Sequence, residues 1–270
     1  MTVSTGVADA RPRDALQLPT DPRLILATDL DGTFLGGSET ERRELYGYLE
    51  RHRQQLLLVF VTGRDLGFID ELKSEGIVPH PDFVIGDVGT TIVAGHDFQP
   101  VAPVQDPIAE LWGDAGERVR ALLADEPGIR PQPTRFERRM SYYYDPATFS
   151  EATLRKIEQA GFDWLTSAET FLDVLPRGVR KGPTLLRFLE ALDLPAERTL
   201  VAGDTLNDLS LFETGLDGVA VGNSEPKLVA RLSGLPRTYH SPRHGAAGIL
   251  DAIHHFGKTL DVRQEGDPEA

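Results

Sequence analysis

Short apolar runs that end in polar, glycine-containing turns recur along this chain. Residues 24–27 run into Asp29, Asp31 and Gly32, and the six apolar residues 56–61 run into Thr62-Gly63. Runs this short and this uniformly apolar fit strands buried on both faces, as in a parallel sheet. Between them, residues 41–54 set Leu45, Tyr48 and Leu49 at helical spacing in a charged background, and residues 65–73 do the same with Leu66, Ile69 and Leu72. A third strand is predicted at 83–85, with a hairpin extension through 90–93. The rhythm returns late in the chain, with a helix at 183–192, a strand at 199–202, a helix at 206–212, a strand at 219–221 and closing helices at 226–232 and 246–256. Alternation of this kind predicts an α/β fold, a doubly wound (Rossmann-like) parallel sheet.

Residues 101–177 break the alternation. Their pattern predicts one helix over 108–123, a β-rich stretch at 136–144, a helix at 154–159 and strands at 164–166 and 171–174, which suits an antiparallel sheet. An α+β cap domain inserted between parallel strands can sit over their carboxyl ends, where open α/β sheets bind ligands. The expected organisation is a loose tail at 1–21, a catalytic core from 22–100 and 178–258, a cap at 101–177 and a polar tail at 259–270.

Composition narrows the chemistry. The 270 residues carry a net charge of −14 and no cysteine, which excludes disulfide scaffolds, thiolate nucleophiles and Cys-based metal sites. So acidic a chain is not expected to bind nucleic acid or an anionic membrane. No apolar run approaches the ~20 residues that span a bilayer, and the first twenty residues lack a secretory pattern, so a cytoplasmic location is expected. The seven histidines form no convincing ligand set.

The carboxylates are more informative. Asp29 and Asp31 leave the first strand two positions apart, which puts them on one side of extended chain. Asp204 follows another predicted strand, and Asp208 lies four residues on, within a helical turn. Two carboxylates ~4 Å apart repel by about 4 kcal/mol at an effective dielectric of 20, so a converging set calls for a cation or a proton. Oxygen ligands without His or Cys point to Mg2+.

The order Asp29-x-Asp31-Gly32-Thr33, Thr62-Gly63-Arg64, Lys181, Gly203-Asp204-x-x-Asn207-Asp208 resembles the four motifs of the haloacid dehalogenase superfamily. The resemblance covers about residues 22–258. It implies a magnesium-dependent phosphatase that passes through an aspartyl-phosphate, with Asp29 as nucleophile and Asp31 as acid and base. Thr62 and Lys181 would hold the phosphoryl oxygens. Asp29, Asp31 (through its backbone carbonyl), Asp204 and Asp208 would hold the metal. Gly63, Arg64 and Asn207 would line the phosphate, and Arg138, Arg139 and Tyr142 of the cap are candidates for touching the ester or its sugar.

An insertion after Asp87-Val88-Gly89-Thr90-Thr91-Ile92 resembles the type-2 cap of that superfamily. With Met140-Ser141-Tyr142-Tyr143-Tyr144-Asp145 and Leu172-Asp173-Val174-Leu175-Pro176-Arg177-Gly178, it is similar to the sucrose-phosphate and mannosylfructose-phosphate phosphatase group. The implied partner is a small-molecule sugar phosphate, acted on by a monomer or homodimer. Other phosphate esters, a phosphomutase and a non-catalytic binding protein stay open as alternatives, because fold alone does not establish activity.

Overall fold

The computed structural model describes residues 18–19, 21–134, 136–167 and 169–260. Most of the two expected tails lies outside them. The first four strands are β1 (Leu24–Thr28), β2 (Leu56–Val61), β3 (Phe83–Gly86) and β4 (Thr91–Ala94). Four more follow in the insertion, β5 (Ile129–Pro131), β6 (Met140–Tyr144), β7 (Phe162–Ser167) and β8 (Phe171–Pro176), and three close the chain, β9 (Thr199–Gly203), β10 (Asp217–Ala220) and β11 (Thr238–His240). The helices are α1 (Glu39–Arg51), α2 (Leu66–Ser74), α3 (Ala102–Trp112), α4 (Ala115–Leu122), α5 (Glu151–Gln159), α6 (Lys181–Ala191), α7 (Leu209–Phe212), α8 (Pro226–Leu232) and α9 (Gly245–His255).

A seven-stranded sheet in the order β11-β10-β9-β1-β2-β3-β4 forms the core. Its strands pair in parallel, except that β4 returns antiparallel to β3. Every residue of β1 and β2 is buried, because both faces of the sheet are covered. Ile25, Leu57 and Val59 pack with Leu185 and Phe188 of α6 on one face. Leu24, Leu26 and Leu58 pack with Leu45 of α1 and Ile249 of α9 on the other. This two-faced covering is why these strands read as unbroken apolar runs.

The insertion forms a separate antiparallel sheet in the order β5-β6-β8-β7. Helical residues Trp112, Val119 and Ile157 pack against Tyr142, Leu172 and Val174 on one face of it. The single helix predicted over 108–123 is two helices: the chain turns at Gly113, whose φ of +48° ends α3 before α4 begins. Strands β5 and β11 escaped the sequence reading because each has three residues and no buried one. The helix predicted at 206–212 is a tight turn through Leu206–Asp208 followed by the four-residue α7.

Candidate active site

Four chain segments meet at the carboxyl ends of β1, β2 and β9. Asp29 leaves β1 with its backbone N–H donating to Ala202 O of β9 at 2.9 Å, so the two strand ends are locked together. The chain then turns through Leu30–Phe34, with Gly32 at φ +76°. A Cβ on Gly32 would lie 2.2 Å from Asp204 Oδ2, so glycine is required there for conformation and for space. Next to it, Thr33 Oγ1 donates to Asp204 Oδ1 at 2.7 Å. Asn223 fixes the turn from outside, donating through Nδ2 to Gly32 O at 2.9 Å and accepting Gly245 N–H at 2.8 Å.

Lys181 starts α6 and is fully buried. Its Nζ donates to Asp29 Oδ1 at 2.6 Å, Asp208 Oδ1 at 2.6 Å and Asn207 Oδ1 at 3.0 Å. Three donors thus meet three acceptors, the full capacity of an ammonium. The second oxygen of Asp208 accepts the backbone N–H groups of Asp204 and Thr205, each at 3.1 Å. Asp208 therefore braces both the lysine and the loop that carries Asp204.

Asp29, Asp204 and Asp208 can each bring one oxygen to within 4.8 Å of the others, and the group is buried. One ammonium does not balance three carboxylates. Burial pushes Asp29 up to about 8, against the pull of Lys181 and with the push of Asp208. Burial likewise pushes Asp204 up to about 7, against the Thr33 hydrogen bond and with the charge of Asp208. Burial works against the Lys181 charge, but Asp208 and Asp29 outweigh it and hold that group above its ordinary value. A buried all-oxygen set with surplus negative charge can hold a hard divalent cation.

Thr62 follows β2, and its Oγ1 accepts Arg64 N–H at 3.1 Å, leaving its own proton to donate. Asp31 is half exposed and is gripped by Arg64, whose Nε and Nη2 donate to its two oxygens at 2.8 and 2.9 Å. Sequence reasoning gave Arg64 to the ester; here it is paired with Asp31, and both line a cavity of 1420 Å³ together with Asp29, Gly63 and Asn207.

The cap candidates separate. Arg139 lines the cavity and is 6% exposed, so it is not a solvated strand edge. Tyr142 is 2% exposed inside the apolar cluster under the cap sheet, and Arg138 pairs with its neighbour Glu137. Neither lines the cavity. Tyr144 and Asp173 do, and sequence reasoning had passed over both as sites. The alternation of sides along β8, Leu172 and Val174 inward and Asp173 outward, is the signal that marks Asp173.

The chain resembles known proteins along most of its length. It is 40% identical over 235 residues to a glucosylglycerol-phosphate synthase of Pseudomonas anguilliseptica, a match covering 87% of this chain and 31% of that protein. It is 30% identical over 263 residues to sucrose-phosphatase 1 of Nicotiana tabacum, covering 89% of this chain and 60% of the relative. The chain thus spans from about a third to under two thirds of the length of these relatives. The crystal structure of the sucrose-phosphatase of Synechocystis in complex with sucrose and phosphate superposes with a TM-score of 0.78 at 27% identity, covering 87% of this chain and 98% of that one. A family model described as sucrose-6F-phosphate phosphohydrolase matches residues 22–257. With that match and the strand-end constellation together, the chain belongs to the sucrose-6F-phosphate phosphohydrolase family, within the haloacid dehalogenase superfamily.

Proposed function

We propose that this chain is a Mg2+-dependent phosphatase of a sugar phosphate, acting through a phosphorylated Asp29. The observation that carries this reading is the buried Lys181, which ties Asp208 to Asp29, a lining residue of a cavity large enough for a sugar phosphate. Lys181 engages Asp29 Oδ1, which leaves Oδ2 to attack phosphorus. The new Oδ2–P bond forms as the bond from phosphorus to the leaving sugar oxygen breaks. Asp31 gives that oxygen its proton, then as carboxylate takes a proton from the water that attacks the aspartyl-phosphate, releasing inorganic phosphate and restoring Asp29. Arg64, which holds both oxygens of Asp31, is placed to hold that side chain beside the ester. Thr62 donates its free proton to a phosphoryl oxygen, and Lys181 supplies charge where negative charge spreads in the transition state.

The donor set of Asp29, Asp204, Asp208 and the Asp31 carbonyl suits Mg2+, which would supply neutralisation of the crowded carboxylates and of the phosphate. The raised Asp29 and Asp204 groups support this fit, since they mark a pocket short of positive charge.

Two leaving groups compete. The family description favours a disaccharide phosphate, sucrose 6-phosphate, and the motif resemblance adds mannosylfructose phosphate. The higher identity to a glucosylglycerol-phosphate synthase favours a glucosylglycerol phosphate. Both are neutral polyols on one phosphate. The test is phosphate release, with and without magnesium, from these esters, trehalose 6-phosphate and hexose monophosphates. The expected result is magnesium-dependent release with kcat/KM highest on a glycosidic ester; a preference for hexose monophosphates overturns the leaving-group reading, and release from none overturns the phosphatase reading.

A further inference from the structure

The turn that follows β3 holds its backbone under strain. Asp87, Val88 and Gly89 have φ of +52°, +61° and +103° in succession. Glycine takes such angles freely, but a β-branched residue resists them. Val88 is the one β-branched residue with positive φ among the described residues, and its surroundings hold it there. Asp87 and Val88 donate their N–H groups to Arg64 O at 3.1 Å and Thr62 O at 3.0 Å. Gly89 O accepts Thr184 Oγ1 at 2.9 Å, and a Cβ on Gly89 would lie 2.5 Å from Arg180 C and 2.8 Å from Lys181 N. The turn is thus clamped between the Thr62 loop and the start of α6.

Strained residues persist where the strained geometry serves something other than stability. Packing of the core does not account for Val88, which is buried but belongs to none of the three apolar clusters and lines the cavity instead. Its side chain faces Gly63: a Cβ built on Gly63 would meet Val88 Cγ2 at 3.9 Å. The N–H of Val88 holds Thr62 O. Because the C=O and N–H of a trans peptide point opposite ways, that bond also aims Gly63 N–H away from the turn. Among the described residues no hydrogen bond takes up Gly63 N–H, and Gly63 lines the cavity. We propose that Val88 is a positioning residue for phosphoryl transfer, whose N–H and branched side chain fix the Thr62–Gly63 peptide from two sides and keep Gly63 N–H set toward a phosphoryl oxygen. A donor already aimed stabilises the transition state without reorganising, and glycine alone would let that peptide rock.

This inference rests on the phosphatase reading, and the experiment separates the two. Val88→Ala removes the branch and relieves strain at the same time, so the lost methyl contacts are offset and the fold is expected to hold. On sucrose 6-phosphate and on p-nitrophenyl phosphate alike, kcat is expected to fall about tenfold while KM changes less than about twofold, with the thermal midpoint moving by no more than about 4 °C. Val88→Asn, suited to the left-handed backbone but unbranched at Cβ, is expected to lose kcat likewise while its midpoint holds or rises. Val88→Ile keeps the branch and is expected to keep kcat within about twofold. The Gly63 amide resonance, followed in protein labelled at glycine nitrogen and titrated with inorganic phosphate and magnesium, reports the donor directly; its shift is expected to shrink in Val88→Ala and Val88→Asn but not in Val88→Ile. Full kcat and an undiminished amide shift in the first two variants would overturn the positioning role, as would midpoints that fall in step with kcat. No turnover of any ester by the unaltered chain would overturn the phosphatase reading, and the amide response to phosphate would then decide the role of Val88 by itself.

Discussion

Among the described residues, Lys181 supplies the one ammonium hydrogen-bonded to Asp29 and Asp208, and its removal strands both. Lys181→Met is expected to cost about 3–5 kcal/mol, the range for breaking one side of a buried ion pair, read as a lower urea midpoint. Asp29→Asn works the other way, because it subtracts charge from a pocket that has too much. It is expected to abolish turnover while the thermal midpoint holds or rises, and an Asn variant with undiminished phosphate release would refute the nucleophile. Proton linkage gives the same pocket a pH signature. Asp29 and Asp204 sit near 8 and 7 in the folded chain, against 3.8 for an ordinary Asp. Without metal the folded state binds more protons than the unfolded state between about pH 4 and pH 8, so stability falls as pH rises through that window. A cation that binds the ionised pocket offsets the loss. Thermal midpoints measured from about pH 5.5 to 8.5 should decline without magnesium and decline less with it; a metal-free profile that stays flat would contradict the charge surplus. Asp29 and Asp204 were legible in the sequence because each follows a strand whose apolar run is unmistakable, and Asp208 because it lies one helical turn beyond Asp204. Their partners were not: nothing in the chain order says that Thr33 bonds Asp204, or that Asp208 spends both oxygens on Lys181 and its own loop.

At the scale of elements, the position of Lys181 depends on how closely α6 approaches α7. A Cβ on Gly182 would lie 1.8 Å from Ser210 O, a backbone atom that cannot step aside, and Gly182 N–H donates to Ser210 Oγ at 3.1 Å. Gly182→Ala must push the start of α6 away, carrying Lys181 off Asp208 and Asn207. Overpacking of this kind costs about 1–3 kcal/mol, and, with the lysine in its proposed role at the transition state, kcat is expected to fall further than KM changes. Full activity in a Gly182→Ala protein would show that α6 has slack. The core elements were readable because burial on both faces leaves a continuous apolar run. In the cap, one face is apolar and one faces the cavity, so parity decides each residue's fate. Tyr142, Tyr143 and Tyr144 give no alternation to read, and pairing with β8 sets the parity: Tyr142 lies opposite Leu172, while Ser141 lies opposite Asp173. Tyr142 consequently joins the cap core. A glycine at φ +48° in the middle of a helical pattern hid the break between α3 and α4 in the same way, since its spacing matches a continuous helix.

For the molecule as a whole, the proposed function requires the two sheets to hold between them the cavity that cap strands and core strand-end loops both line. Strand β7 leans over the turn through Leu206–Asp208, and Arg139 reaches across to Gly63. A second crossing lies at the rim, where Glu169, between β7 and β8, pairs with Lys227 of α8 at 2.8 Å. Both residues line the cavity, and both are largely exposed, so this clasp is weak and open to salt. Screening shortens from about 10 Å at 0.1 M to about 3 Å at 1 M, which loosens the rim without touching the buried lysine. Lys227→Gln removes the clasp outright and is expected to raise KM for a sugar ester by up to about fivefold, more than it lowers kcat. The unaltered chain should approach the variant's KM as salt rises, while the variant should respond less, because the charge pair that salt weakens is already gone. Hydrogen exchange at the tip joining β7 and β8 should quicken in parallel. If KM in the variant stays put at both salt concentrations, the rim pair is only a surface contact.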